Sequence, residues 1–116
     1  MKKRVFSALM AAALTASMVF GTVAASAEEK SNEDITIGIS MCAIESQMWA
    51  EYQSTMHATC DEMGVKYTEV IAENDTQKQN QQIENLISGG ADAIVIAPAD
   101  GEAVVAAIKK CNEAGV

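Results

Sequence analysis

Gly90-Ala91-Asp92-Ala93-Ile94-Val95-Ile96-Ala97-Pro98-Ala99-Asp100 decides the fold of this 116-residue chain. A glycine stop leads into a short apolar run, and the run breaks at Pro98, leaving a carboxylate just beyond it. Five apolar residues in succession, Ala93 to Ala97, fit a strand of a parallel sheet covered on both faces. Asp100 then emerges at that strand's carboxyl end, where open parallel sheets bind their ligands.

The same punctuation recurs outward from this stretch. Gly64-Val65, Gly90-Ala91 and Gly115-Val116 each close a helix-like stretch, with gaps of 26 and 25 residues between them. That is the period of stacked β-α units. Ile35, Ile37 and Ile39 alternate with Thr36, Gly38 and Ser40, which predicts a first strand ending near Met41. Cys42 to Gln47 form the loop after it. Trp49, Tyr52, Met56 and Met63 then recur at helical spacing, predicting a helix from about Gln47 to Met63 with these four residues inward and Gly64 as a left-handed cap.

The second strand is expected at Lys66 to Ile71, followed by the polar turn Glu73-Asn74-Asp75-Thr76. Asp75 or Thr76 can cap a second helix that turns Ile83, Leu86 and Ile87 inward and leaves Gln77 to Gln82 as solvated first turns. A third helix, Glu102 to Ala114, is expected to bury Val104, Val105, Ile108 and Cys111, with Lys109 and Lys110 near its negative C-terminal end. Right-handed crossovers then give an α/β fold, a three-layer Rossmann-like parallel sheet over residues 35–116. The chain stops at Val116, where a fourth strand would begin, so it is expected to be a fragment with an open strand edge and only marginal stability alone.

Residues 1–27 have the makings of a secretory signal: Lys2, Lys3 and Arg4, an apolar stretch from Val5 to Val23, and an Ala25-Ser26-Ala27 cleavage site. An uncleaved membrane anchor is the alternative, but Ser7, Thr15, Ser17, Gly21 and Thr22 interrupt the stretch. Cleavage gives an exported protein, periplasmic or extracellular, with no membrane insertion afterwards. Residues 28–34 are polar and without periodicity, as in a flexible leader.

Composition excludes some functions. The full chain carries a net charge of −8, and removing the signal leaves five basic against sixteen acidic side chains, a net charge of −11. Such a surface repels phosphate backbones, so no nucleic-acid partner is expected. Cys42, Cys60 and Cys111 show neither metal-knuckle nor redox spacing, and no metal or cofactor is expected. Spacing does not pair them. Cys60 and Cys111, both on helices, suit small core positions.

Enzyme signatures are missing as well. The first loop, Met41-Cys42-Ala43-Ile44-Glu45-Ser46, has no glycine-rich phosphate fingerprint. Ser46 lacks a nucleophile elbow, and His57, the only histidine, has no second ligand at helical spacing. What remains suits holding rather than reacting. Trp49 and Asp100 both fall at the carboxyl edge of the predicted sheet, and a ring face with a carboxylate acceptor is what a neutral polyol needs. Trp49 could equally be core, and Asp100 could simply cap the third helix.

Asn74-Asp75, Gln79, Ile83-Glu84-Asn85-Leu86-Ile87 and Gly90 to Asp100 together resemble the sugar-binding branch of the type 1 periplasmic binding proteins, over essentially all of residues 35–116. The resemblance implies two α/β lobes closing on a sugar or polyol, delivery to the permease of an ABC transporter, no catalysis, and a monomer at full length. This chain would be the first half of the N-terminal lobe. Asp100 then corresponds to the aspartate that bonds sugar hydroxyls, and Trp49 to the second ring of an aromatic pair. Met48 falls on the first ring, Ser46 on the polar residue two before it, and Cys42 on a small polar position ending the first strand. Ser46-Gln47-Met48-Trp49 departs from the family's common Asn-Pro-Phe-aromatic run, so ribose need not be the sugar. A ligand-sensing ectodomain and an exported α/β enzyme with catalytic residues beyond residue 116 are the competing readings. A transcription regulator's effector core would need a helix-turn-helix where the signal stands.

Overall fold

A computed structural model describes residues 29–116. The signal-peptide reading of residues 1–27, and the first residue of the leader, lie outside the described residues. A 3-10 turn, Asn32–Asp34, precedes β1 (Thr36–Met41), α1 (Gln47–Met63), β2 (Lys66–Ile71), α2 (Thr76–Ser88), β3 (Ala93–Ala97) and α3 (Val104–Ala114). The three strands form a parallel sheet in the order β2-β1-β3, with Met41 opposite Ile71 on one side and Ala97 on the other.

Strand alternation sorts the core into two layers. Ile37, Ile39 and Met41 point to the α1 side, packing with Met56, Cys60 and Val65. Ile94 and Ile96 of β3 point to the other side, against Ile83 of α2 and Val104, Ala107 and Cys111 of α3. At Gly38, β1 lies close under α2: a Cβ there would lie 3.0 Å from Ile94 Cγ1 and 3.1 Å from Leu86 Cδ1. Gly64 and Gly115 close α1 and α3 in the left-handed region, at φ 70° and 76°. A residue with a side chain is strained there.

Four expectations about facing are corrected. Tyr52 and Met63 are not inward but 57% and 54% exposed, and Cys60 is the buried residue of α1. On α3, Val105 and Ile108 are exposed, and Ala107 takes the buried position between Val104 and Cys111. The first turns of α2 are not wholly solvated, because Gln79 is 2% exposed. Finally, β3 is covered on one face only: Val95, on the α1 side, is 48% exposed. A run of apolar residues reports β3's hydrophobicity but not how many layers lie over it.

Two residues of the segment expected to be a leader touch the rest of the chain. Lys30 pairs with Asp92, and Asn32 Nδ2 donates to Met63 O at 2.8 Å. On the α1 side of β2, His57 stacks on Tyr67 with centroids 4.6 Å apart. Its Nε2 lies 3.1 Å from Glu69 Oε1, while Glu69 Oε2 accepts from Gln53 Nε2 at 2.7 Å. That network partners the histidine within the α1–β2 packing. Cys60 and Cys111 are buried as expected, all three cysteines are free thiols, and burial raises the pKa of both Cys60 and Cys111. Both therefore stay protonated at neutral pH and are poor nucleophiles.

Candidate functional site

Three loops leave the carboxyl edge of the sheet side by side, because the strands are parallel and in register at Met41, Ile71 and Ala97. The β1–α1 loop carries Cys42 to Ser46. Ser46 is the N-cap of α1, its Oγ accepting from Trp49 N at 3.2 Å. That bond fixes the first turn, so Met48 and Trp49 project from a capped helix end rather than a free loop.

The β2–α2 loop is held against the first one. Asn74 N donates to Cys42 O at 2.7 Å, and Ala72 N to Met41 O at 2.9 Å. Glu73 and Asn74 both sit in the left-handed region, at φ 56° and 59°, an uncommon pair of conformations for residues with side chains. Asp75 then caps α2, its Oδ1 accepting from Lys78 N at 2.9 Å.

The β3–α3 loop bends at Pro98 and is held by the carboxylate of Asp100. Asp100 Oδ1 accepts from Glu102 N at 2.9 Å and from Ala103 N at 2.7 Å. Both readings of this residue are compatible with that geometry: one oxygen caps the turn into α3, and Asp100 itself is exposed.

Between α1 and β3 runs a groove of about 330 Å³ lined by Met48, Trp49, Tyr52, Met56, Val95 and Pro98, among others. Trp49 and Tyr52, one turn apart, meet with ring centroids 5.8 Å apart and planes tilted by 50°. The structure thus brings Met48 and Trp49 together. Ser46, Cys42 and Asp100 lie on the same edge but not in the groove lining. Cys42 is 4% exposed, so its thiol offers little surface to a ligand.

Two residues near this edge were not singled out as site residues in the sequence. Tyr52 belongs to the groove rather than to the core, which its spacing from Trp49 could have suggested. Gln79 is the other, a buried amide lying beneath the β3–α3 loop. Its Nε2 donates to Ser40 Oγ at 3.1 Å and to Ala97 O at 2.9 Å, and its Oε1 accepts from Ala99 N at 2.8 Å. Its place among five glutamines and asparagines between residues 77 and 82 hid it.

Residues 37–116 match the family model described as periplasmic binding protein domain. The ribose import binding protein of Bacillus subtilis is 31% identical over 84 residues, which is 72% of this chain and 28% of that protein. The D-xylose-binding periplasmic protein of Escherichia coli is 26% identical over 103 residues, 89% of this chain and 30% of its own length. Among solved structures, an ABC transporter solute binding protein from Clostridium phytofermentans with bound β-D-glucose aligns with a TM-score of 0.66 at 30% identity, covering 70% of this chain and 25% of that one. One from Mycobacterium smegmatis with bound glycerol gives 0.68 at 26%, covering 70% and 28%. The chain therefore spans under a third of the length of these relatives.

Proposed function

The chain belongs to the periplasmic binding protein domain family, and on that premise we propose that the full-length protein captures a small sugar or polyol outside the cytoplasm and hands it to an ABC transporter permease. One observation supports the reading: β1 and β3 are parallel neighbours in register, so the loop leading to the capped helix end with Trp49 and the loop with Asp100 leave the same edge of the sheet, with Trp49 and Pro98 lining one groove. A ring face covers the C–H side of a sugar, and a carboxylate accepts its hydroxyl protons. The relatives whose names mention ribose and xylose, and the structures holding glucose and glycerol, belong to the same chemical class of uncharged polyhydroxy solutes.

Within this proposal Trp49 stacks on the ligand, Met48 and Tyr52 extend the apolar wall, and Asp100 binds hydroxyls through the oxygen not used by the helix turn. Ser46 acts by fixing the helix end, and Cys42 shapes the end of β1. No residue is assigned a catalytic step, in keeping with relatives that are solute-binding proteins. Calorimetric titration of the full-length protein with D-ribose, D-xylose, D-glucose, myo-inositol and glycerol tests the reading. Saturable binding of at least one is expected. Failure of the whole panel with a folded protein would overturn it.

A further inference from the structure

The buried amide of Gln79 and its neighbour Asn80 reach the two ends of a single loop. Gln79 holds the loop's start, at Ala97 O and Ala99 N. Asn80 Nδ2 donates to Ala103 O at 3.2 Å, at the loop's end. Between those anchors lie Asp100, Gly101 and Glu102, and among the described residues the carboxylate of Asp100 bonds only to amides of that same loop, Glu102 N and Ala103 N. The loop thus has an internal brace, Asp100, and an external one, the first turns of α2. Only the external brace refers the loop to the rest of the sheet, because Gln79 also grips Ser40 of β1, which is 0% exposed.

We infer that Gln79, assisted by Asn80, is the positioning residue that sets where the Asp100 carboxylate stands relative to the β1 edge. Gln79 uses both N–H groups and its carbonyl oxygen on three separate atoms, as a buried amide requires, and two of the three belong to the end of β3 and the loop after it. Its carbonyl holds Ala99 N, one residue before the carboxylate. A side chain of the same length without the amide would leave Ser40 Oγ, Ala97 O and Ala99 N without this partner, and the loop would be free to shift while the sheet beneath it persisted. The Asp75 cap on α2 completes the chain of positioning, since it fixes the turn from which Gln79 and Asn80 project. The inference rests on the proposed function only for its consequence in binding. The positioning itself is measurable without any ligand.

The test is residue-resolved amide hydrogen exchange on the full-length protein and its Gln79→Met and Asn80→Ala variants, paired with sugar titration. With Gln79→Met, exchange at Ala99, Glu102 and Ala103 is expected to rise by at least about 10-fold while Ile39 and Ile83 keep their protection, as for local opening below the global free energy. Asn80→Ala, which removes one bond from a partly buried site, is expected to raise Glu102 and Ala103 by a smaller factor. It carries the test if Gln79→Met fails to fold. Unchanged exchange in the loop, or an equal rise at every amide, would overturn the inference. In the titration, Asp100→Asn is expected to weaken sugar binding less in the Gln79→Met background than alone, since residues acting through one another are not additive. Strict additivity counts against positioning, whereas a silent Asp100→Asn in the otherwise unaltered protein counts against the proposed function instead.

Discussion

Asp92 and Thr36 hold each other twice: Thr36 N donates to Asp92 Oδ2 at 2.9 Å, and Asp92 N donates to Thr36 O at 2.8 Å. The pair ties the start of β3 to the start of β1, at the edge of the sheet opposite the candidate site. Lys30 adds a cation to the same carboxylate, so the segment before β1 is drawn onto the sheet.

Lys30 foremost, then the Thr36 amide, holds the Asp92 carboxyl below its ordinary value of 3.8. A carboxyl depressed in the folded state contributes stability above its unfolded pKa and loses that contribution as pH falls through the folded one. The expected outcome is a fall in the urea midpoint below about pH 4 that is smaller in Asp92→Asn than in the unaltered protein. Parallel urea titrations at several pH values between neutrality and acid would check it. Identical acid dependence in the two proteins would remove Asp92 from the account.

Trp49, the only tryptophan among these 116 residues, is a fluorophore as well as a candidate contact, and its signal in the full-length protein is the part of the emission that Trp49→Ala removes. Sugar binding is expected to change its fluorescence, and Trp49→Ala to weaken binding by about 1 to 3 kcal/mol, the combined scale of a lost ring and its buried area. Some stability is expected to go with it, because Trp49 also packs against the core layer of Ile39 and Met41, so affinity is compared at a temperature where both proteins are folded. Fluorescence titration of the full-length protein, with calorimetry for the variant, measures both.

Asp100 has two duties that separate by choice of substitution. Asparagine retains an oxygen for Glu102 N and Ala103 N, whereas alanine removes it. Asp100→Asn is expected to keep thermal stability within a few tenths of a kcal/mol and still weaken sugar binding by about 1 to 3 kcal/mol, the range for hydrogen bonds to a charged group. Asp100→Ala should lose both, with about 0.5 to 2 kcal/mol of stability gone with the cap. If asparagine binds sugar as well as aspartate does, the residue is a cap and nothing more.

How far these features were legible in the sequence depends on the range of the forces that set them. The bounds of α1, β2 and β3 followed from glycine stops and short apolar runs, which act over one or two turns. Facing was harder wherever a third layer decides it. Tyr52 and Val105 have helical spacing suited to burial yet stand exposed, because what lies over a helix is not written in its own period. Gln79 shows the same limit from the polar side. Its neighbours Gln77 and Gln81 are exposed, and only the crossing of α2 over the ends of β1 and β3 distinguishes it. In the candidate site, Trp49 and Asp100 could be placed on one edge because parallel topology fixes strand direction, whereas the bonds from Asp100 to its own loop required coordinates.

Gly38 offers the sharpest test of the layer between the sheet and α2. It stands in β1 opposite Thr68 and Ile94, at a backbone conformation any residue can adopt, so an added methyl group meets only packing and not dihedral strain. Two of the atoms it would meet, Ile94 Cγ1 at 3.0 Å and Leu86 Cδ1 at 3.1 Å, belong to β3 and to α2, and both side chains would have to give by a few tenths of an ångström. Filling a packed interior in this way costs typically about 1 to 3 kcal/mol. Gly38→Ala is therefore expected to lower the urea midpoint with an unchanged denaturant slope, the mark of a stability change without a change in the surface exposed on unfolding. Because α2 also carries Gln79, the same variant should loosen Ala99 in amide exchange even though Gly38 touches no part of the loop. A Gly38→Ala protein as stable as the original would mean that α2 and β3 part freely, and that the rigid link from the sheet to the Asp100 loop does not run through this contact.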